Sequence, residues 1–337
     1  MNKQRILGCL YGMAFGDSLG ADTEFLNMND IRKQFPPNGP KALKGNPALV
    51  TDDTQMAMAV GKALVTAPFP YQPDSLGDAI RQSFIDWYHS PENNRAPGMT
   101  CLTSCENLIK GIVWIQATNM NSKGCGANMR VQPVGCLAVE ATTRAGIAQL
   151  QAAYTHGHAT ALVAADLTAY VIHYLGTDGK AKNLLKDVRT YAESQQHIYH
   201  KKWLGDLWMQ THMFPSEQMY IEHGWSECFG ILDRLDNALQ NIDYDADPCL
   251  ATGAGWIAEE AFGTALYCFL MYPDDPVKVI QRAAFSSGDS DSIACIAGAF
   301  AGAYHGLSSW DTNWIEHIEH RDDILNLAEK LESIHAT

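Results

Sequence analysis

The fourteen residues from Ile293 to Gly306, IACIAGAFAGAYHG, contain no Asp, Glu, Lys or Arg. An apolar run of this length, without a polar stripe, reads as a helix buried on all sides. It is preceded by Phe285-Ser-Ser-Gly-Asp-Ser-Asp-Ser292, so Asp289 and Asp291 are aimed into a core. Ser and Asp are good helix caps and favour the positive end of the helix dipole. A cap needs only one of them, and the second acid at i+2 exceeds that need.

The same design occurs upstream, where Thr51-Asp52-Asp53-Thr54 precedes QMAMAVGKALV. Buried like charges repel and lose hydration, so such clusters persist only with protons, basic side chains or a cation. Neither stretch has a Lys or Arg next to its acids. Oxygen donors from Asp, Thr and Ser suit hard cations such as Mg²⁺ or Mn²⁺, and four carboxylates can hold two of them. Either cluster alone reads most simply as a cap; the pair favours a metal site.

Gly8, Gly12, Gly16 and Gly20 recur every four residues, which places them near one face of a helix over 5–20 where another helix can approach closely. Lys3 and Arg5 before ILGCLYGMAFG mimic the start of a signal peptide, but the glycine spacing favours a packed helix. Apolar runs of helical length follow over 54–66, 75–89, 99–113, 143–153, 159–175, 277–285 and 322–333, with another ending at Met271. No alternating strand pattern stands out. The class is therefore all-α, a single compact multi-helix domain over residues 1–337. Residues 27–50 read as a Pro, Gly and Asn-rich loop, and 176–250 carry no recognisable chemistry.

A net charge of −14 and no Lys/Arg cluster longer than Lys201-Lys202 argue against nucleic-acid binding. No stretch reads as long enough to span a bilayer. Nine scattered cysteines without a C-x-x-C pair are most simply explained by a reducing, cytoplasmic setting. Gly124-Cys125-Gly126-Ala127 can present backbone amides to a diphosphate, or be a plain tight turn. His156, in Thr155-His-Gly-His158, is by itself more often structural than catalytic. Glu24, beside Phe25, draws interest only from context.

Taken in order, GCLYGMAFGDSLGADTEF, TDDTQMA, GCGANMRVQPVG, THGHATA, GAGWIAEEAFGTALY and SGDSDSIACIAGAFAGAYHG resemble the ADP-ribosylglycohydrolase family, from residue 5 to about 306. The resemblance implies an all-helical fold around two Mg²⁺ or Mn²⁺ ions. It assigns Thr51, Asp52, Asp53, Asp289, Asp291 and Ser292 to the metals. It gives Glu24 the catalytic role, and it places Gly124 to Ala127 at the diphosphate and His156 at the distal ribose of ADP-ribose. Serines 290 and 292 stand where the family usually has threonine. Arg95 to Cys101 offers no acid where some members place a catalytic aspartate, and resembles instead a bacterial subset that includes immunity proteins against ADP-ribosylating toxins.

The implied activity is metal-dependent removal of ADP-ribose from protein side chains, arginine first. The implied partners are an ADP-ribosylated protein, ADP-ribose itself and a toxin transferase. The rival from another class is a binding protein that occludes such a toxin or retains ADP-ribose without turnover. An isoprenoid synthase would also join helices to Asp-rich metal sites, but Asp52-Asp53-x-x-Met56 lacks the last acid of its motif.

Overall fold

The computed structural model of the chain describes residues 1–177 and 179–334. Its centre is a pair of helices, Lys3–Gly20 and Ser290–His305. A Cβ added at Gly8, Gly12, Gly16 or Gly20 would run into the backbone of Gly302, Gly298, Ala294 or Ser290 respectively. Each step of four residues forward along the first helix is thus a step of four backward along the second. The two run antiparallel with their backbones in contact. Glycine in a helix costs roughly 1 kcal/mol relative to alanine, and here that cost is offset by the dispersion contacts that close approach allows. The charged-then-apolar start of the chain is accordingly a core helix, capped by the Asn2 side chain accepting from the Arg5 amide.

Helices Ala258–Met271, Pro276–Ala284 and Ala159–Gly176 pack around Ser290–His305. Helix Asp52–Thr66 lies against Pro73–Tyr88 and Arg321–Ser333. Ala159–Gly176 is long and apolar enough to cross a membrane, but 83% of it is buried inside the protein, between Ala141–Ala153, Glu217–Gln240 and the central helix. Among the described residues there is no strand beyond isolated bridges, so the class is all-α.

The structure corrects several boundaries. The acid-bearing helices begin at Asp52 and Ser290, which puts the acids at or inside the first turns. The helix expected over 99–113 stops at Ile109, shortly before Gly111, whose φ of +81° lies outside helical space. Residues 27–50 contain a short helix, Met28–Gln34, whose start is satisfied by Asn27 accepting from the amides of Asn29 and Asp30.

The largest difference is in 176–250, which holds helices Leu184–Gln195 and Glu217–Gln240. The second buries Tyr220, Ile221, Gly224, Trp225, Cys228, Ile231, Leu232 and Leu235, a stripe at spacings of three and four. All nine cysteines are free.

Candidate active site

Asp17, in the last turn but one of the first helix, is fully buried. It accepts hydrogen bonds from the amides of Thr51 and Thr54 at 3.0 Å and from their hydroxyls at 2.7 and 2.5 Å. These bonds fasten the start of helix Asp52–Thr66 to the central pair. Thr51 is its N-cap, with the hydroxyl oxygen 3.4 Å from the Asp53 amide, and that same oxygen lies 3.5 Å from Oδ2 of Asp291. The two acid clusters, far apart in sequence, therefore meet.

Asp289 stands at the N-cap of the central helix, yet its side chain makes no capping hydrogen bond. Its Oδ2 instead accepts from the Cys125 thiol at 2.8 Å. The cap explanation fails for this residue. Ser290, in contrast, serves the fold: its hydroxyl donates to the Gly20 carbonyl at 2.9 Å. Thr23 donates to the Ala284 carbonyl and lies 3.0 Å from Ser290 Oγ. That pins the turn after the first helix and positions Glu24. Carboxylate oxygens of Glu24, Asp289 and Asp291 lie within 4.8 Å of one another.

These groups share one cavity of about 290 Å³. Glu24, Asp52, Asp53, Asp289, Asp291, Ser292, Gly124, Cys125, Gly126 and His156 all line it. Thr51 lies just behind that wall, on Asp17. Ala127 is buried with its carbonyl bonded to Gln151, so it is not part of the lining. The turn also offers fewer amides than an open anion nest, because the Cys125 amide donates to the Trp256 carbonyl and the Gly124 amide to Ser122 Oγ. Glycine at 126 has a packing reason: a Cβ there would sit 2.9 Å from Cys101 Sγ and 3.0 Å from the His156 ring.

Burial first, and the charge of Asp291 second, push Glu24 up to about 9 and Asp17 up to about 7, the latter against the pull of its threonine donors. The same two causes hold Asp52, Asp53 and Asp289 well above the usual carboxylate range. Protons thus neutralise the cluster when nothing else does. The residues fit a divalent cation. The donor set is hard oxygen, and Oδ1 of Asp53 is buried with no hydrogen-bond partner, an orphan acceptor that a cation would satisfy.

The segment without the expected acid has its own job. Arg95 pairs with Glu319 and donates to the Val50 carbonyl at 2.5 Å, and the Gly98 amide lies 3.3 Å from Asp52 Oδ2. His156 is also set by its neighbours. The buried Arg130 donates to Thr155 Oγ1 at 2.8 Å, which turns the threonine proton toward His156 Nδ1 at 2.7 Å. The ring then carries its proton on Nε2, beside Gly124 and Gly126. Burial first, then the Arg130 charge, lower His156 to about 3, so it is a neutral donor.

Other clusters do less. His158, His223 and Glu227 lie together, but His158 Nδ1 accepts from the Thr160 amide, which leaves the proton on Nε2, and Lys123 already sits 3.0 Å from Glu227. A larger cavity of about 730 Å³ is lined by Trp87, Leu327, Lys62 and Asp86, among others. Lys62 and Asp86 pair at 2.6 Å, and Glu92 and Asp323 each lie 3.3 Å from a ring nitrogen of His320.

Asp17 does not stand out in the sequence as a site residue, although it is the one charged residue between Ile6 and Ala21. A lone acid on a glycine-faced core helix was the available signal. Arg130, Thr155, Phe25 and Trp256 were also missed as contributors to the site.

The all-helical fold is that of a solved ADP-ribosylglycohydrolase-related protein complex. That structure matches with a TM-score of 0.68 and 20% identity over 98% of each chain. The sequence model of the ADP-ribosylglycohydrolase family matches residues 2–336, and the chain belongs to that family. It is similar to human ADP-ribosylhydrolase ARH3, at 24% identity over 98% of this chain and 93% of the relative. It is also similar to ADP-ribosylarginine hydrolase Tri1 of Serratia proteamaculans, at 23% over 96% of this chain and 78% of the relative.

Proposed function

We propose that the protein hydrolyses the bond between C1″ of ADP-ribose and a modified protein side chain, arginine in preference to serine, with two Mg²⁺ or Mn²⁺ ions bound. The observation that carries this reading is the convergence of Glu24, Asp289 and Asp291 on the cavity that also holds Asp52 and Asp53. Thr51, Asp52, Asp53, Asp289, Asp291 and Ser292 would hold the ions. When bound, such ions supply Lewis acidity and fixed positive charge for sugar hydroxyls and water.

The chain's own residues supply the rest. His156, a neutral Nε2–H donor, holds the distal ribose, and the turn Gly124 to Gly126 lies along the diphosphate. Glu24 moves the proton. The C1″–N bond breaks with its electron pair leaving on the guanidino nitrogen, the oxygen of water bonds to C1″, and a water proton passes through Glu24 to that nitrogen. The products are ADP-ribose and unmodified arginine. Arginine is favoured by the likeness to a relative named for ADP-ribosylarginine.

The test is release of ADP-ribose from matched peptides linked through arginine or serine, in the presence of Mg²⁺. Faster release from the arginine peptide is expected. Faster release from the serine peptide would overturn the arginine preference, and tight retention of ADP-ribose with no release from either would favour a binding role.

A further inference from the structure

Phe25 and Trp256 stack at the rim of the cavity, ring centroids 5.4 Å apart and planes within 20°. They remain 69% and 43% exposed, so core packing does not account for them. Phe25 also holds φ at +64°, a region that a bulky side chain occupies at a cost. Strained, unburied aromatics are kept where their surface is used by something else.

Their place in the chain says what that something is. Phe25 directly follows Glu24. Trp256 directly follows Gly255, where a Cβ would lie 3.4 Å from Asp289 Cβ. Both residues thus line the cavity next to its carboxylates, and Trp256 also meets the glycine turn, its carbonyl accepting from the Cys125 amide. A bond cut at those carboxylates has its leaving group within reach of this rim.

We propose that the Phe25–Trp256 pair is the platform on which the guanidinium of the ADP-ribosylated arginine stacks, and that it sets the choice of linkage. The proposal rests on the reading of the protein as an ADP-ribosyl-protein hydrolase. A guanidinium is planar, weakly hydrated and cationic, and it stacks on aromatic faces better than any other side chain. A serine linkage offers no flat cation to the rings. A nucleobase also stacks on aromatics, and the affinity for free ADP-ribose tells the two occupants apart.

The experiment compares wild type, Phe25→Ala, Trp256→Ala and the ring-preserving Phe25→Tyr and Trp256→Phe. It measures kcat/KM on arginine- and serine-linked peptides and the affinity for free ADP-ribose. Loss of either ring should lower the arginine-to-serine ratio of kcat/KM by ~3- to 30-fold, the range of a cation–π contact. The change should fall in KM, with ADP-ribose affinity held, and the ring-preserving variants should restore the ratio. An unchanged ratio in both alanine variants overturns the proposal. So does a parallel loss of ADP-ribose affinity, which would assign the rings to the nucleotide. Wild type that releases ADP-ribose from neither peptide defeats the hydrolase reading itself, a result separate from either of these.

Discussion

Thr51 donates its hydroxyl proton to Asp17 across 2.7 Å, joining the first helix to the cap of the second acid-bearing one. With the proton committed to Asp17, the lone pairs of Thr51 are left for the Asp53 amide and the space beside Asp291. Asp17 thereby decides the orientation of a neighbouring oxygen donor without lining the cavity.

Asp17→Asn should expose that dependence. An amide cannot accept at both ends, so some of the Thr51 and Thr54 donors lose their partner, at about 1–3 kcal/mol for each buried orphan. The Mg²⁺ concentration for half-maximal turnover should rise by roughly 10- to 100-fold, the range seen when partners of metal ligands are removed. Titration of activity with Mg²⁺ checks this, and an unchanged midpoint would relegate Asp17 to packing alone.

The glycine stripe gives a contrast between two substitutions of the same kind. Gly12→Ala puts a methyl group into the Gly298 carbonyl and the Trp310 ring and should destabilise by about 1–3 kcal/mol or more. Gly230→Ala, in helix Glu217–Gln240 with open space around its Cβ position, should stabilise by roughly 0.5–1 kcal/mol. Urea unfolding of both variants decides it; equal shifts would mean that the central helices are not in backbone contact.

How much of this was legible follows from the residues. The stripe was readable because close helix packing demands small residues at a fixed spacing. The acid pairs were readable because they exceed what caps require. Asp17 was not, since a single acid near the end of a helix carries no signal of its own until its four donors from Thr51 and Thr54 are in view. The helix over 217–240 was overlooked because its charged face dilutes the apolar stripe that Tyr220, Trp225, Cys228 and Leu232 nevertheless spell out. Phe25 and Trp256 meet only through folding, and no local pattern announces a pair 231 positions apart.

Glu24→Gln keeps the shape of the side chain and removes its ability to take a proton. It should lower kcat by about 10²–10⁴-fold while ADP-ribose still binds. Near-normal kcat would remove Glu24 from proton transfer, whereas joint loss of ADP-ribose and cation binding would make it chiefly a ligand.

His156 predicts a pH effect on stability. Its folded value, about 3, lies below the ordinary 6.5, so the fold prefers the neutral ring. The stabilisation it supports is fully present above pH 6.5 and is lost as pH falls toward 3, because the unfolded chain takes up the proton first. The stability difference between wild type and His156→Gln should therefore shrink between about pH 6.5 and 4. Urea unfolding across that range measures it, and a constant difference would mean that the folded ring takes up its proton at the same pH as the unfolded chain.

The most direct test of the central claim is the rate of ADP-ribose release from an arginine-linked peptide by chelator-treated protein, before and after Mg²⁺ or Mn²⁺ is restored. The proposed function predicts no measurable release without the cation and full recovery with it, and neither in Asp289→Ala. Release that persists through chelation, or recovery in Asp289→Ala equal to wild type, would contradict an active site built on the two acid clusters.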